Sequence, residues 1–254
     1  MLRAAFSRIR TQWRRKRLLA PWLALEERGR KQPPEGLAEL RPFAHQVRGA
    51  ADRILALSDL GAPARPDPLR NPGEDAVWRP GPWTDRMHPA GIAAPKSRLA
   101  LERGVTLFHD GQPSSIILRQ RRSHHATDAA AFSLGIEVFA LGGSFLSMCI
   151  DLQDNLLAGL SRCHILRMTM DLECERPQDF YARLNLGQGP NIEELVLHLP
   201  GIAGPCEVEF DLARMSIRGN RVDRAWIDVI LQEPDHNAVV IRDLVLGRRP
   251  RAEL

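Results

Sequence analysis

The feature that most constrains this chain is a two-residue alternation of apolar and polar side chains, which recurs from about residue 104 to the C-terminus. Leu134, Ile136 and Val138 alternate with polar or small residues, and the same pattern appears in 146–152, 166–172, 207–212 and 224–231. Successive side chains of a β-strand point to opposite faces. Each segment therefore predicts a strand with one apolar face and one solvated face.

Five further runs have strand character: Val105–His109, Ser115–Arg121, Phe180–Leu186, Glu193–Leu199 and Ala238–Leu246. Together they predict about ten strands, and no long helical pattern separates them, which excludes parallel βαβ units. We predict a mainly β fold, an antiparallel two-sheet β-sandwich of jelly-roll type preceded by N-terminal helices. A closed barrel is the alternative. Leu141-Gly142-Gly143 and Pro234–Asn237 are predicted to form tight hairpins.

The first thirty-one residues differ from the rest in charge. Residues 1–31 contain ten basic residues and two acidic ones, a net charge of +8, so the overall charge of +4 leaves −4 for the remainder. The basic pI of 9.2 therefore belongs to this arm and not to the strand domain. A nucleic-acid-binding domain would carry its positive charge on the face that meets phosphate, so this distribution argues against nucleic acid as the partner.

Within the arm, apolar residues recur at helical spacing between Leu2 and Trp13, and arginines occupy the other faces. An amphipathic basic helix with tryptophans suits an anionic membrane surface. Packing on a protein partner or on the chain's own domain, and contact with nucleic acid, are the alternatives. The residues predicted to make membrane or partner contacts are Phe6, Trp13, Arg14, Arg15, Lys16, Arg17 and Trp22.

Two segments connect the arm to the strand domain. A second helix is predicted within residues 32–61, from Leu37 to Leu60, and Gly61 would end it. Residues 62–94 are dense in proline, which disfavours both helices and central strands, and we interpret them as an ordered linker lying on the domain. The predicted domain organisation is therefore 1–31, 32–61, 62–94 and 95–254.

The sequence contains no recognisable motif for several kinds of segment and site. The chain shows no apolar signal-peptide run and no segment long enough to span a bilayer. The four cysteines have no metal-ligand or CxxC spacing, and His124 and His125 are adjacent, so on a strand they would point to opposite faces. There is no GxSxG motif and no phosphate-binding loop. We therefore expect no metal, no cofactor and no catalytic residue of these types.

Trp226 marks the best candidate for a binding site. It shares the polar face of the strand 224–231 with Arg224 and Asp228. A large aromatic ring on the solvated face of a strand needs a cover or a ligand. A sugar would stack on the ring while the charged neighbours bind its hydroxyls, and we add Trp78 and Trp83 as further ligand-binding candidates. In the alternative, the linker, through these two tryptophans, or the second helix covers Trp226.

Several segments of the chain also carry a family resemblance. They are Val77-Trp78-Arg79-Pro80, the run from Val105 to Asp110, the run from Ile117 to Gln120, the run from Arg221 to Asp228, and the tail from Arg242 to Leu254. These segments resemble an uncharacterised domain-of-unknown-function family from Rhodobacter-like alphaproteobacteria. The resemblance implies a bacterial, cytoplasmic protein and supplies no activity. The strand organisation is also similar to that of carbohydrate-binding β-sandwiches.

Taken together, these features favour a non-catalytic binding or structural module, glycan- or protein-binding, which the basic arm localises. The alternative is a carbohydrate-active enzyme whose site is assembled on a strand face. The charge of the arm is consistent with a cytoplasmic protein that is peripheral at the inner membrane.

Overall fold

The structure is a computed structural model that describes residues 20–27, 29, 41–59, 71–123, 128–199, 204–217 and 222–251. The chain forms two compact units, Met1–Ala51 and Asp52–Leu254. Most of the residues predicted to make membrane or partner contacts lie outside the described residues, namely Phe6, Trp13, Arg14, Arg15, Lys16 and Arg17. His124 and His125 also lie outside them.

The first unit contains the helix α1 (20–27) and the start of α2 (Arg41–Asp59), which continues into the second unit. Trp22 of α1 stacks on Phe43 of α2 with ring centroids 5.5 Å apart. These rings and Leu25 line an apolar hollow of about 310 Å³. Among the described residues, no helix has the length and apolar character needed to cross a membrane.

The second unit is built from strands. Those of the first half are β1 (Ala76–Trp78), β2 (Gly91–Ala93), β3 (Arg98–Ala100), β4 (Val105–His109), β5 (Ile116–Arg122), β6 (Phe132–Val138) and β7 (Leu146–Asp151). Those of the second half are β8 (His164–Cys174), β9 (Phe180–Gln188), β10 (Asn191–Leu199), β11 (Gly204–Asp211), β12 (Arg224–Leu231) and β13 (Asn237–Pro250). Two single-turn helices, α3 (Gly81–Thr84) and α4 (Asp154–Leu157), interrupt them.

These strands form two antiparallel sheets. Sheet A has the order β11-β8-β13-β6-β5-β2, with β1 added beside β13, and sheet B has the order β10-β9-β12-β7-β4-β3. The apolar faces of both sheets supply one core, which includes Leu134, Met148, Met168, Leu184 and Ile227. The prediction of a mainly β, two-sheet antiparallel sandwich is confirmed, and in strands such as β4 and β6 buried residues alternate with more exposed ones.

The two predicted hairpins are wrong, although the turns themselves exist. β6 lies in sheet A and β7 in sheet B, so the Gly142-Gly143 loop crosses between sheets, and the turn at 234–236 likewise connects β12 of sheet B to β13 of sheet A. Turn residues specify a change of direction, whereas the partner of each strand is set by distant contacts. The described two-residue hairpin is β9 to β10, which turns at Gly189 and Pro190.

The proline-rich segment 62–94 does more than lie on the domain. Its described part supplies β1 and β2 to sheet A. Arg79 forms a paired hydrogen bond with Asp243, at 2.8 and 2.9 Å, and Asp75 pairs in the same way with Arg248 of β13. Prolines at 80, 82 and 89 flank these strands and do not interrupt them, which explains why proline density was compatible with sheet pairing.

Candidate functional site

The outer face of sheet B carries the predicted patch. In β12, Ala225, Ile227 and Val229 are buried in the core, and the alternate residues Arg224, Trp226 and Asp228 point to the other face of the sheet. This follows from the two-residue period of a strand. The structure therefore brings these three predicted residues together on one face, as the sequence pattern required.

Trp226 and Arg224 form a contact within this face. The guanidinium carbon of Arg224 lies 5.3 Å from the centre of the Trp226 ring, a cation–π arrangement. Across the sheet, Trp226 is directly opposite Asn185 of β9 and Asp151 of β7. The half-buried indole is therefore bordered by a cation on its own strand and by polar side chains on both neighbouring strands.

Asp228 is the centre of a hydrogen-bond network. Its Oδ2 accepts from Nε and Nη2 of Arg183, at 3.1 and 3.0 Å, and from Nδ2 of Asn185 at 3.0 Å. Asp228 is 7% exposed and Asn185 is 1% exposed. A buried carboxylate with a paired guanidinium and an amide donor is held in one orientation. Asp228 thus fixes the side chains of Arg183 and Asn185 in place.

Two titratable groups of β7 face this network. Burial, together with the charges of Asp228 and Asp151, raises the pKa of the Cys149 thiol to about 12. Burial and the neighbouring Asp228 also raise the pKa of Asp151, and Arg98 opposes that shift. The site therefore contains a thiol that stays protonated and a carboxyl group that ionises reluctantly.

The face extends beyond β12. Tyr181, Ile230, Ser147 and Phe108 stand in one row across β9, β12, β7 and β4. The Tyr181 ring lies 5.2 Å from the ring of His198, and the guanidinium carbon of Arg98 lies 5.8 Å from the centre of the Phe108 ring. Aromatic rings from three strands, including Trp226, therefore share this side of the sheet.

Trp78 and Trp83, the other two predicted ligand-binding residues, lie elsewhere. Trp83 of α3 is fully buried, and its indole N–H donates to the backbone oxygen of Ile241 at 2.9 Å. Trp78 belongs to β1 of sheet A and packs against the core. Neither ring reaches the outer face of sheet B, so neither joins Trp226 in a site and neither covers it. The apolar surface of the Trp83 ring is buried in the core, and that of Trp78 is partly buried against it.

Several residues of this face were missed from the sequence. Arg183 and Asn185 occupy the polar positions of β9, and Asp151 ends β7. A signal was present, because these residues alternate with the buried Ala182 and Leu184. What could not be obtained is the register that sets β9 and β7 beside β12, since pairing between distant strands is not a local property.

A prepared catalytic or metal centre is not apparent in the described part of the chain. Its His, Cys, Asp and Glu side chains include no group of three that could hold an ion. The Ser161 hydroxyl lies 3.1 Å from Nδ1 of His164, but the backbone N–H of Ser161 donates to the same nitrogen at 3.2 Å. Nε2 of His164 is 3.9 Å from Oδ2 of Asp75, too far for a hydrogen bond. This arrangement is that of a turn and does not prepare a nucleophile.

The chain is similar to several solved structures. One is the enzymatically active domain of tailspike protein 4 of bacteriophage CBA120, with TM-score 0.40 and 10% identity, where the match covers 56% of this chain and only 19% of the tailspike chain. Another is the family 11 carbohydrate-binding module of Clostridium thermocellum, with TM-score 0.36 and 10% identity, covering 59% of this chain and 91% of the module.

A third is the CBM22-1 xylan-binding domain of Paenibacillus barcinonensis Xyn10C, with TM-score 0.37 and 6% identity, covering 64% of this chain and 94% of that domain. At these TM-scores and identities, the likenesses say nothing about what this chain binds. Among curated proteins, none matches it significantly. The model of a family of unknown function, DUF6478, matches residues 1–254, and the chain therefore belongs to that family.

Proposed function

We propose that this chain is a non-catalytic binding module that holds a glycan on the outer face of sheet B. One observation carries the proposal: the half-buried Trp226 ring lies outside the core, between the Arg224 guanidinium and the fixed Asp228, Arg183 and Asn185 network. Sugar rings present an apolar face that stacks on an indole and hydroxyls that pair with charged and amide groups. Tyr181 and Phe108 extend the same surface across the sheet.

The fixed network supports binding more than it supports chemistry. A binding site needs polar groups whose positions do not change on association, because ordering mobile side chains costs about 0.5–1.5 kcal/mol each. Asp228 and Asn185 are buried, and Asp228 holds the half-buried Arg183 side chain through two hydrogen bonds. The ordering cost of Arg183 is therefore met on folding, and it does not reduce the free energy of glycan contact.

Affinity electrophoresis tests this function. Native gels that contain soluble polysaccharides of different composition should retard the wild-type protein, and Trp226→Ala should abolish that retardation because it removes the stacking surface. Arg119→Gln is the matched control, since Arg119 lies on sheet A and pairs with Glu137 at 3.4 Å. Retardation that is unchanged in Trp226→Ala would contradict a site at this ring.

A glycoside hydrolase is the second candidate, and one observation favours it. Asp151 and Asp228 are diagonal neighbours on adjacent strands, about 7–8 Å apart between backbones. Their environments differ, because burial raises the pKa of Asp151 whereas Asp228 is paired with Arg183. Glycosidases place a carboxylic acid and a carboxylate on either side of the bond they cleave. If this candidate is correct, the wild-type protein should hydrolyse a polymer that it binds, and Asp151→Asn should abolish that hydrolysis. If it is wrong, neither the wild type nor the variant should hydrolyse any polymer that binds.

The basic segment 1–31 is proposed to localise the module at an anionic surface, on the inner face of a bacterial membrane. Its support is the net charge of +8 and the helical spacing of its apolar residues. In the described part of the first unit, Leu23 is 60% exposed and Phe43 is 52% exposed. Exposed apolar residues beside arginines are suited to an interfacial helix, and a protein partner is the alternative occupant.

A further inference from the structure

The charges on the outer face of sheet B are not all compensated. Arg183 pairs with Asp228 at 3.0 Å and approaches Glu194 at 4.0 Å. Arg224, by contrast, has no carboxylate partner within the part of the chain that the structure describes, and its guanidinium lies over the Trp226 ring. A guanidinium is always charged near neutral pH. Arg224 therefore presents an uncompensated positive charge beside the Trp226 ring.

Gly187 places Arg224 there. The two residues face each other in the register of β9 and β12. A Cβ on Gly187 would lie 2.7 Å from Cγ and 2.9 Å from Nε of Arg224, so the arginine side chain runs across β9 in the space that the glycine leaves. Gly187 does not have a positive φ, so its backbone conformation does not itself require glycine. The absence of its side chain instead lets Arg224 lie flat on the sheet.

The acidic groups of the face offer weaker opposition to an anion. Asp228 is neutralised by Arg183, and burial raises the pKa of Asp151. Arg98 lies over the Phe108 ring, and among the described residues it has no carboxylate within ion-pair distance. Two guanidinium groups without an ion pair, on β12 and β3, therefore share this face with Asp151 of β7, which lies between their strands, and with Glu194 of β10, which approaches the same Arg183 as Asp228.

We propose that the ligand of this face is an acidic glycan, whose carboxylate is bound by Arg224 while a sugar ring stacks on Trp226. The inference rests on the proposed function and names the ligand class. A guanidinium matches a carboxylate with two parallel N–H donors, which adds geometric selection to charge attraction. Arg224 and Trp226 are two residues apart on one strand, about 7 Å, so one sugar unit and its substituent reach both.

The experiment compares acidic polysaccharides with neutral counterparts of the same backbone, for example polygalacturonate with its fully methyl-esterified form, and glucuronoxylan with arabinoxylan. The gels use the full chain in which Arg14, Arg15, Lys16 and Arg17 are changed to glutamine, so that the arm does not act as an ion exchanger. We expect at least one acidic polymer to bind about tenfold more tightly than its neutral counterpart. Arg224→Gln should remove that preference.

Gly187→Ala tests the position of the Arg224 side chain without removing its charge. It leaves every charge in place but forces the Arg224 side chain from its path, so the acidic preference should fall as it does in Arg224→Gln. Arg119→Gln, which removes one positive charge from the paired site on sheet A, should leave the preference unchanged. Thermal melts of each variant establish that it is folded.

The outcomes are distinguishable. Equal binding of the acidic and neutral forms, or binding to neutral polymers alone, would overturn the acidic ligand and leave glycan binding intact. A preference that survives both Arg224→Gln and Gly187→Ala would overturn the role of Arg224. If no polymer of either kind retards the protein, the proposed function itself fails.

Discussion

Gly247 of β13 lies directly against the Glu74 carboxylate, so that a Cβ on Gly247 would be 2.1 Å from Oε1 of Glu74. That oxygen accepts a hydrogen bond from Nε of Arg167 at 2.6 Å, and the two side chains are 1% and 7% exposed. The ion pair between Glu74 and Arg167 is therefore buried against sheet A, where Gly247 of β13 has no side chain. Glycine at 247 is required by this close approach.

We expect Gly247→Ala to destabilise the protein by about 3 kcal/mol, because displacing Glu74 leaves Arg167 buried with its main partner disturbed. Urea unfolding of the variant and the wild type measures the difference. Gly91→Ala is the control, since the nearest atom to its Cβ would be 4.0 Å away. The loss of unfolding free energy caused by Gly247→Ala should be smaller when Glu74 is also changed to alanine. A cost that is the same in both backgrounds would contradict the steric explanation.

The segment 71–93 is expected to be essential to the sandwich. Trp83 is fully buried, and Arg248 donates to Asp75 and to the backbone oxygens of Leu156 and Ala158. Loss of a buried tryptophan alone costs about 3–5 kcal/mol, against a total stability of about 5–15 kcal/mol. A chain that begins at Asn71 should melt cooperatively, whereas one that begins at Ala94 should not. Cooperative melting of the shorter chain would show that this segment is dispensable.

Thiol reactivity should follow burial. Cys163 is exposed, whereas burial raises the pKa of Cys149, to about 12, and also that of Cys174 and Cys206. Because the thiolate is the reactive form, we expect one thiol per chain to react rapidly with Ellman's reagent at pH 8 and all four to react in denaturant. Cys163→Ser should remove the rapid phase. Rapid modification of Cys149 in the folded protein would contradict its burial beside Asp228 and Asp151.

The sequence predicts features that depend on neighbouring residues better than it predicts contacts between residues far apart in the chain. Alternation within 224–231 identified which side of β12 Trp226 would occupy, and that held because period two is a local property. The hairpin at Gly142 failed because β6 and β7 join different sheets. Gly143 instead lies close to Gly111 and Asp110 of a neighbouring loop, and Asp110 accepts from the backbone N–H groups of Ser144 and Phe145.

The same limit applies to the candidate site. Trp226 was identified from its strand alone, whereas Arg183 and Asn185 depend on the pairing of β9 with β12. Trp83 was predicted to bind the ligand or to cover Trp226, but its ring lies in the core and its indole N–H donates to the backbone oxygen of Ile241. The sequence indicated that the linker packs on the domain and did not indicate which part of the domain receives this ring.

Arg242 gives a pH-dependent prediction. It hydrogen-bonds Asp128 and Glu173 and lies 3.7 Å from Asp171, whose pKa is raised by burial although Arg242 lowers it. We expect Arg242→Gln to destabilise the protein by about 1 kcal/mol at pH 7, because three carboxylates lose their shared cation. A carboxyl group with a raised folded-state pKa stabilises the fold below its unfolded pKa and loses that contribution as pH rises.

The loss of unfolding free energy in Arg242→Gln, relative to the wild type, should therefore be largest at neutral pH. It should become smaller as the pH falls toward 4, where the carboxyl groups protonate. Unfolding free energies at several pH values, with Arg119→Gln as the control for an exposed pair, provide the comparison. A deficit that is constant with pH would show that Arg242 acts through packing alone.

The last prediction concerns the basic arm. If residues 1–31 bind an anionic membrane, binding to vesicles with anionic lipid should weaken as salt shortens the screening length to about 8 Å, and neutral vesicles should bind poorly. Changing Arg14, Arg15, Lys16 and Arg17 to glutamine should remove at most about 4 kcal/mol, at about 1 kcal/mol per base near the surface. Changing Phe6 and Trp13 to serine should remove the salt-resistant remainder, which comes from apolar insertion. Vesicle co-sedimentation of the three proteins decides the matter, because a helix that docks on a protein partner shows little preference among vesicles, and equal partition of all three would leave the arm as a protein-contact element.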